Sequence, residues 1–207
     1  MRRNGPKAAD FARRHGVGRW YDSLEGLLGD PAIDAVYVAT PPRYHLEHCL
    51  AALAAGKHVY LEKPMAMNTA QCAAIIEAES RSGKKVAVAH YRRALPAFKK
   101  LGEIIGNGTL GQIRLAELNF FLPEDNSLIP DSAANWRVEP EISGGGLFHD
   151  LSPHLFDLLL VYFGLPLEYE GFSKRMNPAS KADDFVQGTI LFDNNIVFRG
   201  CWCFSVA

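Results

Sequence analysis

The chain has 207 residues, of which 48% are hydrophobic and 22% charged, and its formal net charge is -1 at pH 7. This balance is typical of a globular protein with one domain or two small ones. The near-neutral charge excludes the basic footprint of a nucleic-acid-binding protein. No apolar run of about 20 residues predicts a membrane span. The basic start of the chain lacks the apolar segment of a signal peptide.

Four cysteines indicate reduced thiols and a cytoplasmic setting, because their spacing suggests no disulfide framework. Cys49 and Cys72 fall on apolar helical patterns and are expected to be buried. Cys201 and Cys203 would share one face of a strand, but no second pair completes a zinc site. We therefore expect no metal.

The first part of the chain alternates helix and strand, which implies a parallel sheet with right-handed crossovers. Helices open on proline or a capping hydroxyl, and short apolar, β-branched runs are typical of buried parallel strands. In chain order the elements are a helix from Pro6 to His15, a strand from Val17 to Trp20, a helix capped by Ser23, a strand at 33–40, a helix at 45–55, a strand at 58–62, a helix capped by Thr69 and a strand at 85–89.

The pattern changes after a helix at 96–107. A strand at 113–122 and a loop at 123–143 precede a helix predicted at 147–163. Strands at 167–173, 185–192 and 196–204 follow, with a hairpin turn at Asp193–Asn195, which predicts antiparallel pairing. We expect an α/β fold: a partial Rossmann-like parallel sheet domain at 1–95, then an α+β domain with an open, mostly antiparallel sheet at 96–207.

Three motifs in this order resemble the Gfo/Idh/MocA family, which includes glucose–fructose oxidoreductase and inositol dehydrogenases. They are Ala39-Thr40-Pro41-Pro42 with His45, Glu62-Lys63-Pro64, and Gly144-Gly145-Gly146 followed by Asp150 and His154. The resemblance implies a Rossmann domain and an NAD(P)-dependent oxidoreductase. No G-x-G-x-x-G turn follows a predicted strand and opens a helix, since the one match, at 106–111, comes after a predicted helix. Alignment by motif therefore implies that the first β-α unit and the last elements of the second domain are missing.

The resemblance implies that Lys63 contacts the reacting hydroxyl, that His154 is the general acid/base and that Asp150 is its partner. Lysine and histidine both suit proton transfer to an alcohol or carbonyl. Three glycines before the helix favour this interpretation, because they permit close backbone approach by a ligand. Two alternatives stay open: Lys63 as a surface lysine, and Asp150, His154 and Asp157 as the solvated face of an amphipathic helix.

Cofactor contacts are expected at the carboxyl ends of the strands, where doubly wound sheets bind ligands. Arginine after the inferred second strand can accommodate a 2′-phosphate, which favours NADP over NAD. Other interpretations are a core tryptophan at 136, solvated arginines at the N-terminus, and a metal pair formed by His45 and His48. The expected cofactor-binding residues are Arg2, Arg3, Thr40, Pro41, Pro42, His45, Glu62, Tyr91, Trp136 and Arg137.

The predicted reaction is hydride transfer between NAD or NADP and a secondary alcohol of a sugar or cyclitol. No nucleic acid or membrane partner is expected, and the resemblance implies a homo-oligomer for the full-length parent. One alternative is a non-catalytic truncated family member that acts as a binding or interaction module. Another keeps the fold but changes the substrate, as in biliverdin reductase-like or dihydrodiol dehydrogenase-like relatives.

Overall fold

The computed structural model describes residues 1–2, 4–123 and 135–206. Arg3, one of the expected cofactor residues, lies outside the described residues. The chain divides into two compact units, Met1–Ala89 and His90–Ala207. Within the described ranges, no helix is long and apolar enough to cross a membrane.

The first unit is built on a parallel sheet, as the alternation of helix and strand predicts. Three strands pair in the order β1-β2-β3, and Val36, Val59 and Val86 lie side by side. The unit contains α1 (Gly5–His15), α2 (Leu24–Leu28), β1 (Ala35–Val38), a 3₁₀ turn (Pro42–Tyr44), α3 (His45–Ala54), β2 (His58–Leu61), α4 (Thr69–Ser82) and β3 (Val86–Val88).

One face of this sheet forms the core of the first unit. Val38, Leu61 and residues of α3 and α4 such as Cys49 and Ile75 are almost inaccessible to solvent. The opposite face is open in this unit, because Tyr37 and Tyr60 are 56% and 43% exposed. The prediction of strands buried on both faces is therefore wrong for alternate residues.

Side-chain caps explain where the helices begin. Asn4 and Ser23 accept hydrogen bonds from main-chain N–H groups in the first turns of α1 and α2. Asn68, not Thr69, caps α4 in the same way. Val17–Trp20 forms no strand, so the strand predicted there is wrong.

The second unit is built on a mixed sheet in the order β4-β7-β6-β5. The β5–β6 and β6–β7 pairs are antiparallel, as the hairpin pattern predicts, whereas β4 pairs with β7 in parallel. The unit contains a 3₁₀ turn (Tyr91–Ala94), α5 (Pro96–Gly106), β4 (Leu115–Pro123), a 3₁₀ turn (Trp136–Val138), α6 (Pro140–Ser143), α7 (Gly146–Leu151), α8 (Pro153–Phe163), β5 (Pro166–Lys174), β6 (Phe185–Phe192) and β7 (Val197–Val206).

The helix predicted at 147–163 is two helices in the structure. Pro153 is the first residue of α8, where its missing N–H costs nothing. Inside a continuous helix the same proline would remove a hydrogen bond and clash with the preceding turn. Aromatic side chains then join α7 and α8 to the sheet, since Phe148 and Phe156 both pack against Trp202 of β7.

Candidate active site

The first group of predicted site residues lies in two turns at the carboxyl ends of β1 and β2. Thr40, Pro41 and Pro42 follow β1, and Lys63 and Pro64 come shortly after β2. Parallel strands 1 and 2 are direct neighbours, so the two turns leave the same edge of the sheet. This is the edge where ligands bind in open α/β sheets.

His45 joins these two turns. Its Nδ1 lies 2.9 Å from the carbonyl oxygen of Pro64, and its Nε2 lies 2.7 Å from the carbonyl oxygen of Thr40. The side chain is fully buried. We therefore assign His45 to shaping the turns rather than to direct contact with a cofactor. The metal pair with His48 is also excluded by this geometry, because the His45 ring is taken up by main-chain oxygens.

Glu62 is oriented by two donors. The Tyr37 hydroxyl of β1 donates to Oε1, and the Lys63 main-chain N–H donates to Oε2 at 3.2 Å. The hydrogen bond to Glu62, with some contribution from burial, raises the pKa of Tyr37 to about 12. Tyr37 was missed at the sequence level, where its position in the strand suggested only a core residue.

Lys63 is half-buried, and the peptide bond that joins it to the buried Pro64 is cis. A half-buried lysine at the carboxyl end of a parallel strand differs from a freely solvated one, because part of its stem is packed and its reach is limited. The simple surface-lysine alternative therefore fits the structure less well.

Arg2 lies against the first helix. Its guanidinium lies 5.4 Å from the centre of the Phe11 ring, and its main-chain N–H donates to Tyr21 at 3.2 Å. The side chain is exposed. This stacking holds the positive charge at the surface of the first unit, and the predicted contact with a 2′-phosphate stays a prediction.

In the second unit, Trp136, Arg137 and Asp150 form one connected group. The Arg137 guanidinium stacks 4.6 Å from the Trp136 ring centre, and its Nε lies 3.2 Å from Oδ2 of Asp150. Asp150 is only 6% exposed. Arg137 therefore supplies the countercharge that a buried carboxylate needs. Trp136 serves as a platform for Arg137, in place of the core packing considered from the sequence.

His154 lies in an aromatic frame from the 3₁₀ turn Tyr91–Ala94 and its flank. The Tyr91 and His90 rings meet it edge-on, at centre distances of 5.1 and 6.2 Å. His154 is 4% exposed. Neither His90 nor Arg93, which belongs to the same turn, was singled out from the sequence. The run His90-Tyr-Arg-Arg93 directly after a parallel strand was the available signal.

Burial overturns the interpretation of a solvated helix face. Asp150, His154 and Asp157 are 6%, 4% and 7% exposed. Asp150 belongs to α7 and the other two to α8, so the three do not lie on one straight helix. The chain instead buries two carboxylates, each beside an arginine.

The three glycines at the start of α7 allow close approach by the protein itself. A Cβ at Gly144 would lie 2.7 Å from the His149 ring, and one at Gly146 would lie 2.5 Å from Cβ of Ala182. Both glycines also have positive φ, at 94° and 77°. Ser143 closes the turn, since its Oγ accepts from Gly146 N–H at 3.0 Å. The expected space for a ligand is thus filled by internal packing.

An apolar cavity of about 400 Å³ lies between the helices and the sheet of the second unit, and it includes none of the predicted site residues. Phe148, Phe156 and Trp202 line it on one side, and strands β5 and β6 on the other. Across the residues that the structure describes, no cluster of three or more His, Cys, Asp or Glu side chains could hold a metal ion.

Comparison with known proteins defines the class. Residues 1–90 match the model described as oxidoreductase family, NAD-binding Rossmann fold, and residues 98–207 match the GFO/IDH/MocA C-terminal domain. The chain therefore belongs to the Gfo/Idh/MocA oxidoreductase family, as its motifs predict. The expected fold, a Rossmann-like sheet followed by a second sheet domain, is confirmed with it.

Three similar proteins illustrate the relationship. An oxidoreductase from Formosa agariphila is 44% identical over 205 residues, which cover 99% of this chain and 63% of that protein. The scyllo-inositol 2-dehydrogenase (NADP(+)) of Bacillus subtilis is 35% identical over 69% of this chain and 38% of its own length. A levoglucosan dehydrogenase in complex with NADH and levoglucosan shares 27% identity and a TM-score of 0.87, over 98% of this chain and 56% of that one.

Proposed function

We propose that this protein carries out hydride transfer between NAD or NADP and a secondary alcohol of a sugar or cyclitol. The observation that carries the proposal is the burial of both His154 and the ion-paired Asp150 in a family of NAD-binding oxidoreductases. The chain spans 63% or less of the three similar proteins described above. The proposed reaction therefore rests only on the 207 residues of this chain.

Lys63 and His154 are the proposed proton-handling groups. Lys63 would donate a hydrogen bond to the reacting oxygen, which stabilises negative charge there as the hydroxyl proton leaves. His154 would accept that proton on a ring nitrogen, since imidazole changes charge near neutral pH. Asp150, which is ion-paired with Arg137, would orient the histidine or a substrate hydroxyl.

The residues of the first unit fit a nicotinamide dinucleotide. Glu62 presents an oriented carboxylate at the carboxyl end of a parallel strand, and such a group can accept a hydrogen bond from a ribose hydroxyl. Thr40 and Pro41 would flank it, with the buried His45 behind them. Tyr91, Trp136 and Arg137 are the proposed contacts from the second unit. Bound NAD(P) would supply the hydride acceptor.

A preference for NADP over NAD follows from Arg2 and Arg3, since a guanidinium pairs well with a 2′-phosphate. One relative is named for NADP, whereas one solved relative holds NADH. Titrations with both reduced cofactors test the preference, and replacing Arg2 with alanine should weaken NADPH binding selectively. Equal affinities for NADH and NADPH would contradict the proposed preference for NADP.

Sugars and cyclitols are the proposed substrates because similar proteins are named for scyllo-inositol and levoglucosan. Both compounds present ring carbons that carry a hydroxyl group. A buried histidine and a half-buried lysine suit the oxidation of such a hydroxyl, which must lose a proton and a hydride.

Steady-state kinetics on a panel of sugars and inositols, with each cofactor, tests this function. We expect Lys63→Ala to lower kcat/KM by about a hundredfold or more, the usual contribution of a general acid or base. Lys85→Ala is the matched control, because Lys85 is exposed at the amino end of β3. A rate that is unchanged in Lys63→Ala would refute its assignment.

A non-catalytic binding role is the competing function, favoured by one observation. The one G-x-G-x-x-G pattern of the sequence, at 106–111, lies between α5 and β4, and not between a parallel strand and a helix, where such a turn would hold a pyrophosphate. The fluorescence of NADH and NADPH on titration with the protein distinguishes the two. A saturable change with either cofactor supports the oxidoreductase. No change with both supports the binding module.

A further inference from the structure

Arg93 and Asp157 form a clamp between two elements of the second unit. Asp157 of α8 is 7% exposed, and Arg93 comes from the 3₁₀ turn Tyr91–Ala94. Arg93 Nε donates to Oδ2 at 2.9 Å, and Nη2 donates to Oδ1. Both carboxylate oxygens are therefore engaged by one planar guanidinium, the strongest form of this pair. The hydrogen bonds to Asp157 also raise the pKa of Arg93.

The clamp joins the same two elements that surround His154. Tyr91 and His90 belong to the turn and its flank, and they pack edge-on against the His154 ring. His154 and Asp157 are three residues apart on α8, so their side chains are neighbours on the helix surface. Holding the turn on α8 therefore also holds the aromatic frame around His154.

We infer that Arg93 is a positioning residue for His154, acting through the clamp by fixing its aromatic frame and by neutralising the adjacent buried carboxylate. The inference rests on the proposed function for the role of His154 in proton transfer. It adds a residue that neither the family motifs nor the sequence pattern identified.

The charges around His154 show why neutralisation matters. Asp157 lies on α8, three residues after His154, and His90 and Arg93 come from the 3₁₀ turn and its flank. Two other charged groups, Asp150 of α7 and Arg137, are paired with each other. Nδ1 of His90 is 3.9 Å from Asp157 Oδ1. Without Arg93, Asp157 would be a poorly compensated buried carboxylate. A nearby negative charge favours the protonated form of a histidine.

Titration of the His154 ring by NMR tests the inference without using turnover. The His154 signal is assigned by its loss in His154→Gln. We expect Arg93→Ala to raise the titration midpoint of His154 by about 1 pH unit. The double variant Arg93→Ala/Asp157→Asn should return the midpoint close to that of the wild type, because it removes the uncompensated charge.

Arg199→Ala is the matched control, since it breaks an exposed ion pair with Glu117 elsewhere in the same unit. It should leave the His154 midpoint unchanged. If Arg93→Ala does not fold, Arg93→Gln takes its place, because the amide keeps a donor and much of the volume without the charge. An unchanged midpoint in the charge-removed variant, or a shift that persists in the double variant, would overturn the inference. A midpoint that moves as expected in a protein without oxidoreductase activity would support the clamp and refute only the proposed function.

Discussion

Asp150 and Asp157 show that whether a charged residue is solvated or buried in an ion pair depends on a partner elsewhere in the chain. From the sequence, both fit a polar stripe on a helix, and nothing in the local pattern separates a solvated stripe from a buried one. Arg93 lies 64 residues before Asp157, and Arg137 lies in a different loop. Ion pairs between distant segments are set by tertiary packing, so they could not be predicted from spacing. By contrast, Asp150, His154 and Lys63 could be selected as candidate site residues from the sequence, because they belong to the motifs.

Tyr37 gives a prediction about pH. The pKa of its hydroxyl is raised to about 12 from an ordinary value of 10.0, because Glu62 accepts its hydrogen bond. The folded state therefore holds this proton more tightly than the unfolded state, so the stabilisation is complete below about pH 10 and is lost as the pH rises to about 12. We expect an ultraviolet titration of phenolate to show one tyrosine ionising near pH 12, and Tyr37→Phe to remove it.

Tyr169→Phe is the control for this titration, since Tyr169 is 82% exposed and lies on β5, far along the chain from Glu62. The late ionisation should survive in that variant. If it also survives in Tyr37→Phe, the hydrogen bond to Glu62 is not the cause.

Cys49 gives a second prediction at the scale of one residue. It is fully buried under the first sheet, and burial raises the pKa of its thiol to about 11. The reactive thiolate is therefore scarce and shielded near neutral pH. We expect iodoacetamide to leave Cys49 unmodified in the folded protein and to modify it in denaturant, as measured by mass spectrometry of the peptides. Modification of Cys49 at equal rates in both conditions would contradict the described core.

At the scale of elements, local sequence rules predicted helix ends correctly where a single residue determines the end. Ser23 caps α2, and Gly83 ends α4 in the left-handed conformation. They failed where two rules compete. The apolar period continues through Pro153, but a proline in a helix interior is costly, so the helix breaks there. The parallel pairing of β4 with β7 joins strands about 80 residues apart, and no local pattern reports it.

A row of three glycines crosses the second sheet. Gly171, Gly188 and Gly200 are paired partners on β5, β6 and β7. The Trp202 ring lies directly over Gly200, well within van der Waals contact of any added Cβ. Glycine at this position is therefore required by packing, because the indole occupies the space of a side chain.

Gly200→Ala should lower the free energy of unfolding by about 1–3 kcal/mol, because the added methyl forces Trp202 out of a filled core. Urea denaturation followed by fluorescence measures the loss. Gly106→Ala is the matched control, since no heavy atom lies within 4 Å of its Cβ position in α5. A Gly200→Ala variant as stable as the control would show that Trp202 does not occupy this site.

At the scale of the whole chain, the sequence was most informative about lineage. Motifs that follow strand ends in a fixed order identified the family, and the two matched family models confirm it. Those motifs report the chemistry that the family shares. Tyr37, Arg93 and Ser143, which hold site residues through hydrogen bonds, are not part of any motif, and only the three-dimensional packing revealed them.

The central proposal is hydride transfer from an alcohol carbon to a nicotinamide by this protein. The most direct measurement uses inositol or glucose deuterated at the ring carbons, with NAD or NADP, and follows the label by mass spectrometry. We predict deuterium in the reduced cofactor with the wild-type protein, and labelling about a hundredfold slower with Lys63→Ala. No deuterium in either cofactor, from any member of the sugar and cyclitol panel, would contradict the claim.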